Sequence, residues 1–133
     1  MPFPFLSPSQ SLWLLRATVA LLIMAHAVMR IINGTVPSFG SFLESQGLPN
    51  GQLWVWAITA TELVAGALLL AGRYVRWAAA ALFFILAVGI VLIHRHLGWW
   101  VGEHGTGGSE YTVALMAMLV AAAATDRGSA SRP

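Results

Sequence analysis

The sequence predicts an all-α membrane protein with four transmembrane helices in an antiparallel bundle. Hydrophobic residues make up 58% of the 133 residues and charged residues only 9%, whereas soluble domains carry about 25% charged residues. The chain therefore needs lipid as its solvent. The Trp residues fall at or just outside the ends of the predicted spans, as in the aromatic belts of membrane proteins. These residues are Trp13, Trp54, Trp56, Trp77, Trp99 and Trp100.

Composition also excludes several classes of function. The formal net charge is only +2 and the Arg residues are scattered, so no nucleic-acid partner is expected. The absence of Cys excludes disulfides, thiolate metal sites and Cys nucleophiles.

The first span is predicted at residues 12–32, after an irregular N-terminal lead-in over residues 1–11. The lead-in contains three Pro and no charged side chain, and Ser9 or Ser11 is available as the N-cap of the first span. The Ala-His-Ala tripeptide at residues 25–27 resembles a signal-peptide cleavage site. Because no basic side chain precedes Arg16, we expect no cleavage there.

The polar segment after the first span predicts a short amphipathic helix at the membrane surface. Phe39, Phe42 and Leu43 recur at helical spacing and are followed by a Gly-Leu-Pro stop. This helix would lie in the first of two long loops that we expect to face outward.

The remaining spans are predicted at residues 53–72, 75–93 and 110–125, with a polar tail over residues 126–133. The link between the second and third spans is so short that these two spans must form a hairpin. Residues 12–125 would therefore form one transmembrane domain.

Arg residues set the expected orientation by the positive-inside rule. One side of the predicted bundle carries Arg73, Arg76, Arg127 and Arg132, and the other carries Glu44, Glu103 and Arg95. We therefore expect a multi-pass membrane protein with both termini in the cytoplasm.

Glu62 lies near the middle of the second span, where a carboxylate costs on the order of 2.5–3.5 kcal/mol. Arg16, His26 and Arg30 share one face of the first span, within an arc of roughly 80° at 100° per residue. If these two faces meet, Glu62 pairs with His26 or with Arg16. Helix periodicity does not choose between these two pairs.

Two interpretations of this polar layer remain open. It could bind a small molecule, such as a quinone or a lipid head group, or relay protons. Alternatively, the charges could act as an interhelical latch that only holds the first two spans together. Arg16 and Arg30 could also extend toward the two membrane interfaces.

Histidines in the second long loop are the other candidate site. His94, His96 and His104 are metal-ligand types, but their spacing matches no specific metal motif. A wet loop with interfacial His is the favoured interpretation, and no metal is assigned. Glu110 opens the fourth span, where the helix dipole favours an acid, and it could form a second polar layer with Arg30.

The order of these elements resembles the DoxX family of small four-helix membrane proteins. The first span places Arg16, His26 and Arg30 at the family's basic positions, with Ala after His26 where Gly is usual. The segment FGSFLESQGLP resembles the family's first loop. The segment ELVAGALLLAGRYVRWAA, which begins at Glu62, resembles the family's second span. Glu110, in GGSEY, falls at the family's second acid.

The resemblance covers about residues 12–125 and implies a membrane redox neighbourhood. One family member is the small subunit of a thiosulfate:quinone oxidoreductase, and others accompany thiol-handling or oxidative-stress proteins. We therefore expect an accessory subunit of the bacterial inner membrane without catalytic activity of its own, held in a membrane redox complex or a homo-oligomer.

Two alternatives to the accessory role stay open. One is a direct contribution to the quinone-linked oxidation of a sulfur compound, and the other is a purely structural bundle. A quinone is the cofactor that the polar layer could accept, whereas a metal or haem is disfavoured.

Overall fold

The computed structural model describes residues 5–100 and 107–126, and these are helical apart from short connections. The described residues contain no strand. The helices are α1 (Pro8–Ile32), α2 (Val36–Ser45), α3 (Gly51–Ala71), α4 (Val75–Leu92) and α5 (Ser109–Thr125), with a 3-10 helix (His94–Leu97) before α5. The first four residues and all of the predicted tail except Asp126 lie outside the described residues.

Helix α1 begins earlier than the predicted span because Ser7 caps it. The Ser7 hydroxyl accepts a hydrogen bond from the Gln10 backbone N–H at 3.3 Å, and the Gln10 side chain accepts one from the Ser7 N–H at 2.8 Å. Pro8 follows the cap, where its missing N–H has no cost. The prediction that Ser9 or Ser11 caps α1 is therefore wrong.

Helices α1, α3 and α4 are long and apolar enough to cross a membrane. Helix α5 is also apolar but has only 17 residues. Helix α2 lies in the first long loop, as the spacing of its aromatic residues predicts. The chain is thus an all-helical membrane protein.

Helix α3 packs against α1 on one side and α4 on the other, and α5 packs against both α4 and α1. Helix α2 packs on α3. A tight turn at residues 72–74 joins α3 to α4, and Gly72 adopts a positive φ of 68° there. The N–H groups of Gly72 and Arg73 donate to the Leu69 and Leu68 carbonyls, which closes the end of α3.

Gly66 lets α1 and α3 approach closely. A Cβ atom at this position would collide with Cγ of Met24 and would lie 3.5 Å from the Ala20 carbonyl oxygen. Further along α1, Arg30 reaches Glu62, which precedes Gly66 in α3. The two helices therefore run in opposite directions.

Packing is uneven along the length of the helices. We call the end near residues 72–74 the turn end, and the end that carries α2 and the 3-10 helix the loop end. The main hydrophobic core lies toward the turn end, where Val19, Leu69 and Leu119 are fully buried. In α4, full burial stops at Leu82. The loop half of α4 is therefore only partly buried, and the candidate site lies beside it.

Candidate functional site

The candidate site is built on a buried ion pair between α1 and α3. The Arg30 guanidinium donates from Nη1 to Oε2 of Glu62 at 2.7 Å and from Nη2 to Oε1 at 3.4 Å. The two side chains are only 8% and 5% exposed. This two-point contact matches the planar guanidinium to the planar carboxylate, which makes it geometrically specific. Glu62 is thus buried and neutralised within the fold.

The expectation that Glu62 pairs with His26 or Arg16 is wrong, because Arg30 takes this place. Helical side chains project toward the N-terminus of their own helix. Since α1 and α3 run in opposite directions, Arg30 projects away from the loop end whereas Glu62 projects toward it. The long Arg30 side chain therefore turns into the bundle instead of extending toward the interface.

Arg16 and His26 lie apart from the ion pair. The guanidinium of Arg16 lies at the turn end, 3.2 Å from where a Cβ on Gly72 would stand. There it faces the C-terminus of α3, where the helix dipole favours a positive charge. His26 is exposed and lines the cavity described below, without a hydrogen bond to Glu62.

Two further contacts surround Arg30. Its Nη1 also donates to the Thr59 hydroxyl at 2.7 Å, and Thr59 in turn donates to the Val55 carbonyl at 2.8 Å. On the other side, the Phe39 ring of α2 covers the guanidinium, with its centroid 5.4 Å from Cζ. Arg30 is therefore held by a carboxylate, a hydroxyl and an aromatic face together.

An apolar cavity of about 950 Å³ lies next to the ion pair in the loop half of the molecule. All five α-helices contribute to its walls. Polar groups in the wall include Arg30, Glu62, His26, Thr61 and His94. Ligand sites are commonly apolar cavities of about 300–1,000 Å³ with a few polar groups, so the size and lining suit a small amphiphile.

The cavity wall includes exposed residues of α3 and α4, and we call this part of the wall the opening. Ala57 and Thr61 line it from α3, and Ala81, Phe84 and Val88 line it from α4. Phe84 is 69% exposed and Ala57 is also exposed, so this wall faces the surroundings of the helices. In a bilayer the opening would face acyl chains.

His94 stands in the cavity wall just after the end of α4. Its Nδ1 is buried and has no hydrogen-bond partner among the described residues. Burial, and secondly the nearby His26, lower the pKa of His94 below its ordinary value of 6.5. The imidazole is therefore neutral at pH 7.

The other loop residues that the sequence suggests as ligands do not gather around His94. His96 is exposed and accepts a hydrogen bond from the Arg95 Nε–H at 3.2 Å, and His104 lies outside the described residues. Within residues 5–100 and 107–126, no three His, Asp or Glu side chains come together as a metal site would require. Glu110 is half-buried in the first turn of α5, and its second polar layer with Arg30 stays a prediction.

Sequence reasoning missed the cavity and two of the residues around it. The sequence predicts Phe39 on a short surface helix but not that its ring packs on Arg30. His94 was expected in a wet loop, yet its Nδ1 is buried. The aromatic spacing of α2 was the available signal for Phe39, but no local pattern marks the burial of His94.

Fold and site together define a small helical membrane protein with a buried ion pair beside an apolar cavity. A protein-family model for DoxX matches residues 11–95, which run from α1 to the 3-10 helix. The chain therefore belongs to the DoxX family. No curated protein and no solved structure matches it.

Proposed function

We propose that this chain is a non-catalytic accessory subunit of a bacterial inner-membrane redox assembly, and that its cavity binds a quinone or a lipid head group. One observation carries the proposal: the buried Arg30–Glu62 pair lines a large apolar cavity between helices that are long enough to cross a membrane. Intramembrane charges are costly and commonly mark functional sites. The membership in the DoxX family supports the redox setting.

The proposed architecture is an antiparallel bundle of four transmembrane helices with both termini in the cytoplasm. Support comes from the mutual packing of α1, α3, α4 and α5 and from the tight turn between α3 and α4. At 17 residues, α5 is at the short limit for a spanning helix. Arg73 and Arg76 at the turn end favour a cytoplasmic position for that end.

The residues present fit a quinone. Its ring and tail would lie against the apolar walls, and its carbonyl oxygens need hydrogen-bond donors, for which the buried, unpartnered Nδ1 of His94 is a candidate. When bound, a quinone supplies two-electron redox chemistry. This chain's residues would hold and orient the head group and exclude water from it.

Purification in a mild detergent, followed by organic extraction, tests the proposal. We expect a partner protein to remain with the chain and a quinone or lipid to be extracted in near-stoichiometric amount. Isolation of a bare chain with neither partner nor extracted amphiphile would contradict the proposal.

A structural latch is the second candidate, because Arg30, Glu62 and Thr59 form a network that is already satisfied without a ligand. In that case Glu62→Gln would lower folding and any function in the same proportion. A well-folded Glu62→Gln protein that had lost binding or partner association would argue against the latch.

A further inference from the structure

His94 has a buried polar atom that the fold does not satisfy. Its Nδ1 lies in the wall of the cavity without a hydrogen-bond partner, and it is the only such buried side-chain nitrogen or oxygen within the described part of the chain. Buried polar atoms are nearly always hydrogen-bonded, since leaving one unpaired is costly. A partner from outside the chain would remove this cost.

The buried charged groups of the cavity wall already satisfy each other. Arg30 and Glu62 neutralise each other's charge, and Thr61 donates to the Ala57 carbonyl of its own helix at 2.8 Å. Burial also keeps His94 neutral. The buried wall therefore offers no net charge to compensate an ionised head group, which is expensive to bury unpaired.

We infer that His94 anchors an uncharged amphiphile from the bilayer through a carbonyl or hydroxyl oxygen at Nδ1, with the apolar body lying in the opening between α3 and α4. This inference rests on the proposed function. It narrows the proposed ligand from any quinone or lipid head group to an uncharged head group. The oxygen types follow from the imidazole: a protonated Nδ1 donates to a carbonyl, and a bare Nδ1 accepts from a hydroxyl. Oxidised and reduced forms of one quinone head supply these two groups.

The sideways opening provides the route. Ala57 of α3 and Ala81 of α4 are small residues on its rim, and Phe84 and Val88 offer apolar contact to a tail. Since the main core is packed at the turn end, an amphiphile entering here stops beside the ion pair. Its head then lies at the loop end, where His94 stands.

The anchor is tested by titrating the purified chain with a decyl-tailed benzoquinone and measuring binding as the quenching of Trp fluorescence. His94→Leu removes the hydrogen bond and keeps similar volume, and His96→Leu is the matched control on the same 3-10 helix. We expect His94→Leu to weaken binding roughly two- to tenfold, the value of one hydrogen bond, and His96→Leu to bind like the unchanged chain. Thermal melting should show His94→Leu to be at least as stable as the unchanged chain, because the unpaired nitrogen is gone.

A second pair of variants tests the route and separates the two proposals. Ala57→Trp fills the opening, whereas Ala60→Trp places the same ring on an exposed position of α3 outside the cavity. If Ala57→Trp abolishes binding and His94→Leu does not weaken it, the cavity binds the probe but His94 does not anchor it. If the unchanged chain binds no better than Ala57→Trp, the proposed function fails as well. Displacement of the probe by anionic phosphatidylglycerol at equal concentration would overturn the neutral-head inference alone.

Discussion

Phe39 covers the guanidinium of Arg30, with the centre of its ring 5.4 Å from Cζ. This contact joins α2 to the buried ion pair of α1 and α3, so the surface helix is part of the site. Helix α2 is also fixed to α3, because the Glu44 carboxylate accepts a hydrogen bond from the Gly51 N–H at 2.9 Å. The loop end of the ion pair is thus closed by an aromatic face held in place.

Phe39→Leu should destabilise the protein by about 0.5–2 kcal/mol, because Leu preserves apolar burial and loses the cation–π attraction. Phe42→Leu is the matched control. The Phe42 ring stacks on the Phe39 ring, with 6.3 Å between the ring centroids, and Phe42 is also half-buried. The ring that covers Arg30 is that of Phe39. Thermal melting in detergent measures both. Equal losses for the two variants would contradict a specific role for the Phe39 ring.

Glu62→Gln should be the more damaging change, since it leaves the Arg30 charge buried without its counter-ion. Breaking a buried pair in this way costs about 3–5 kcal/mol in proteins. We expect low yield and a strongly lowered melting temperature. Asp126→Asn, just after α5 and half exposed, should change the stability by less than about 0.5 kcal/mol.

The double variant Arg30→Met with Glu62→Leu completes this test. Replacing both charges by apolar residues of similar volume is often neutral or stabilising, so this variant should recover most of the stability that Glu62→Gln loses. If it recovers stability and still fails to bind the quinone probe, the pair is needed for the ligand. Recovery of both stability and binding would contradict a ligand role for the charges.

Much of the helical architecture could be read from the sequence because helix periodicity is a local property. The spacing of Val55, Thr59, Glu62, Gly66 and Leu69 predicts that they share one face of α3, and all five are buried. The short link after Gly72 likewise predicts the hairpin turn. Hydrophobicity and turn chemistry determine both features. Each depends only on residues that lie close together in the sequence.

The partner of Glu62 could not be predicted from helix periodicity in the same way. Periodicity says which face a residue occupies, but not how far one helix is shifted along another. That shift depends on contacts such as Met24 against Gly66, and on the direction in which Arg30 projects. The cavity is still less predictable, because it arises where α4 stops burying residues beyond Leu82.

Gly66→Ala tests the contact that sets this helix spacing. The added methyl group would collide with the Met24 side chain, and overpacking of this kind costs about 1–3 kcal/mol. Met24→Ala in the same chain should restore part of the loss by making room. Ala67→Leu, exposed on the same helix, serves as the control and should leave the melting temperature unchanged. A loss in Gly66→Ala that Met24→Ala does not relieve would place the strain elsewhere.

His94 should make the stability of the protein depend on pH. Burial, and then the neighbouring His26, hold its pKa below the ordinary value of 6.5, so the unfolded chain takes up this proton at a higher pH than the folded chain does. Between those two values the unfolded state binds more protons, and the free energy of unfolding falls as the pH falls. The contribution of neutral His94 is therefore complete above about pH 6.5 and is lost below it.

Melting curves between about pH 7.5 and 5.5 measure this effect across the range in which His titrates. The unchanged chain should lose stability on acidification more steeply than His94→Leu, which has no proton to take up at that site. The comparison between the two chains isolates the effect of His94, because every other titratable group is the same in both. His96→Leu should keep the steep slope because this exposed imidazole is not buried in the cavity wall. Identical slopes for the unchanged chain and His94→Leu would show that the folded protein does not resist protonation of His94.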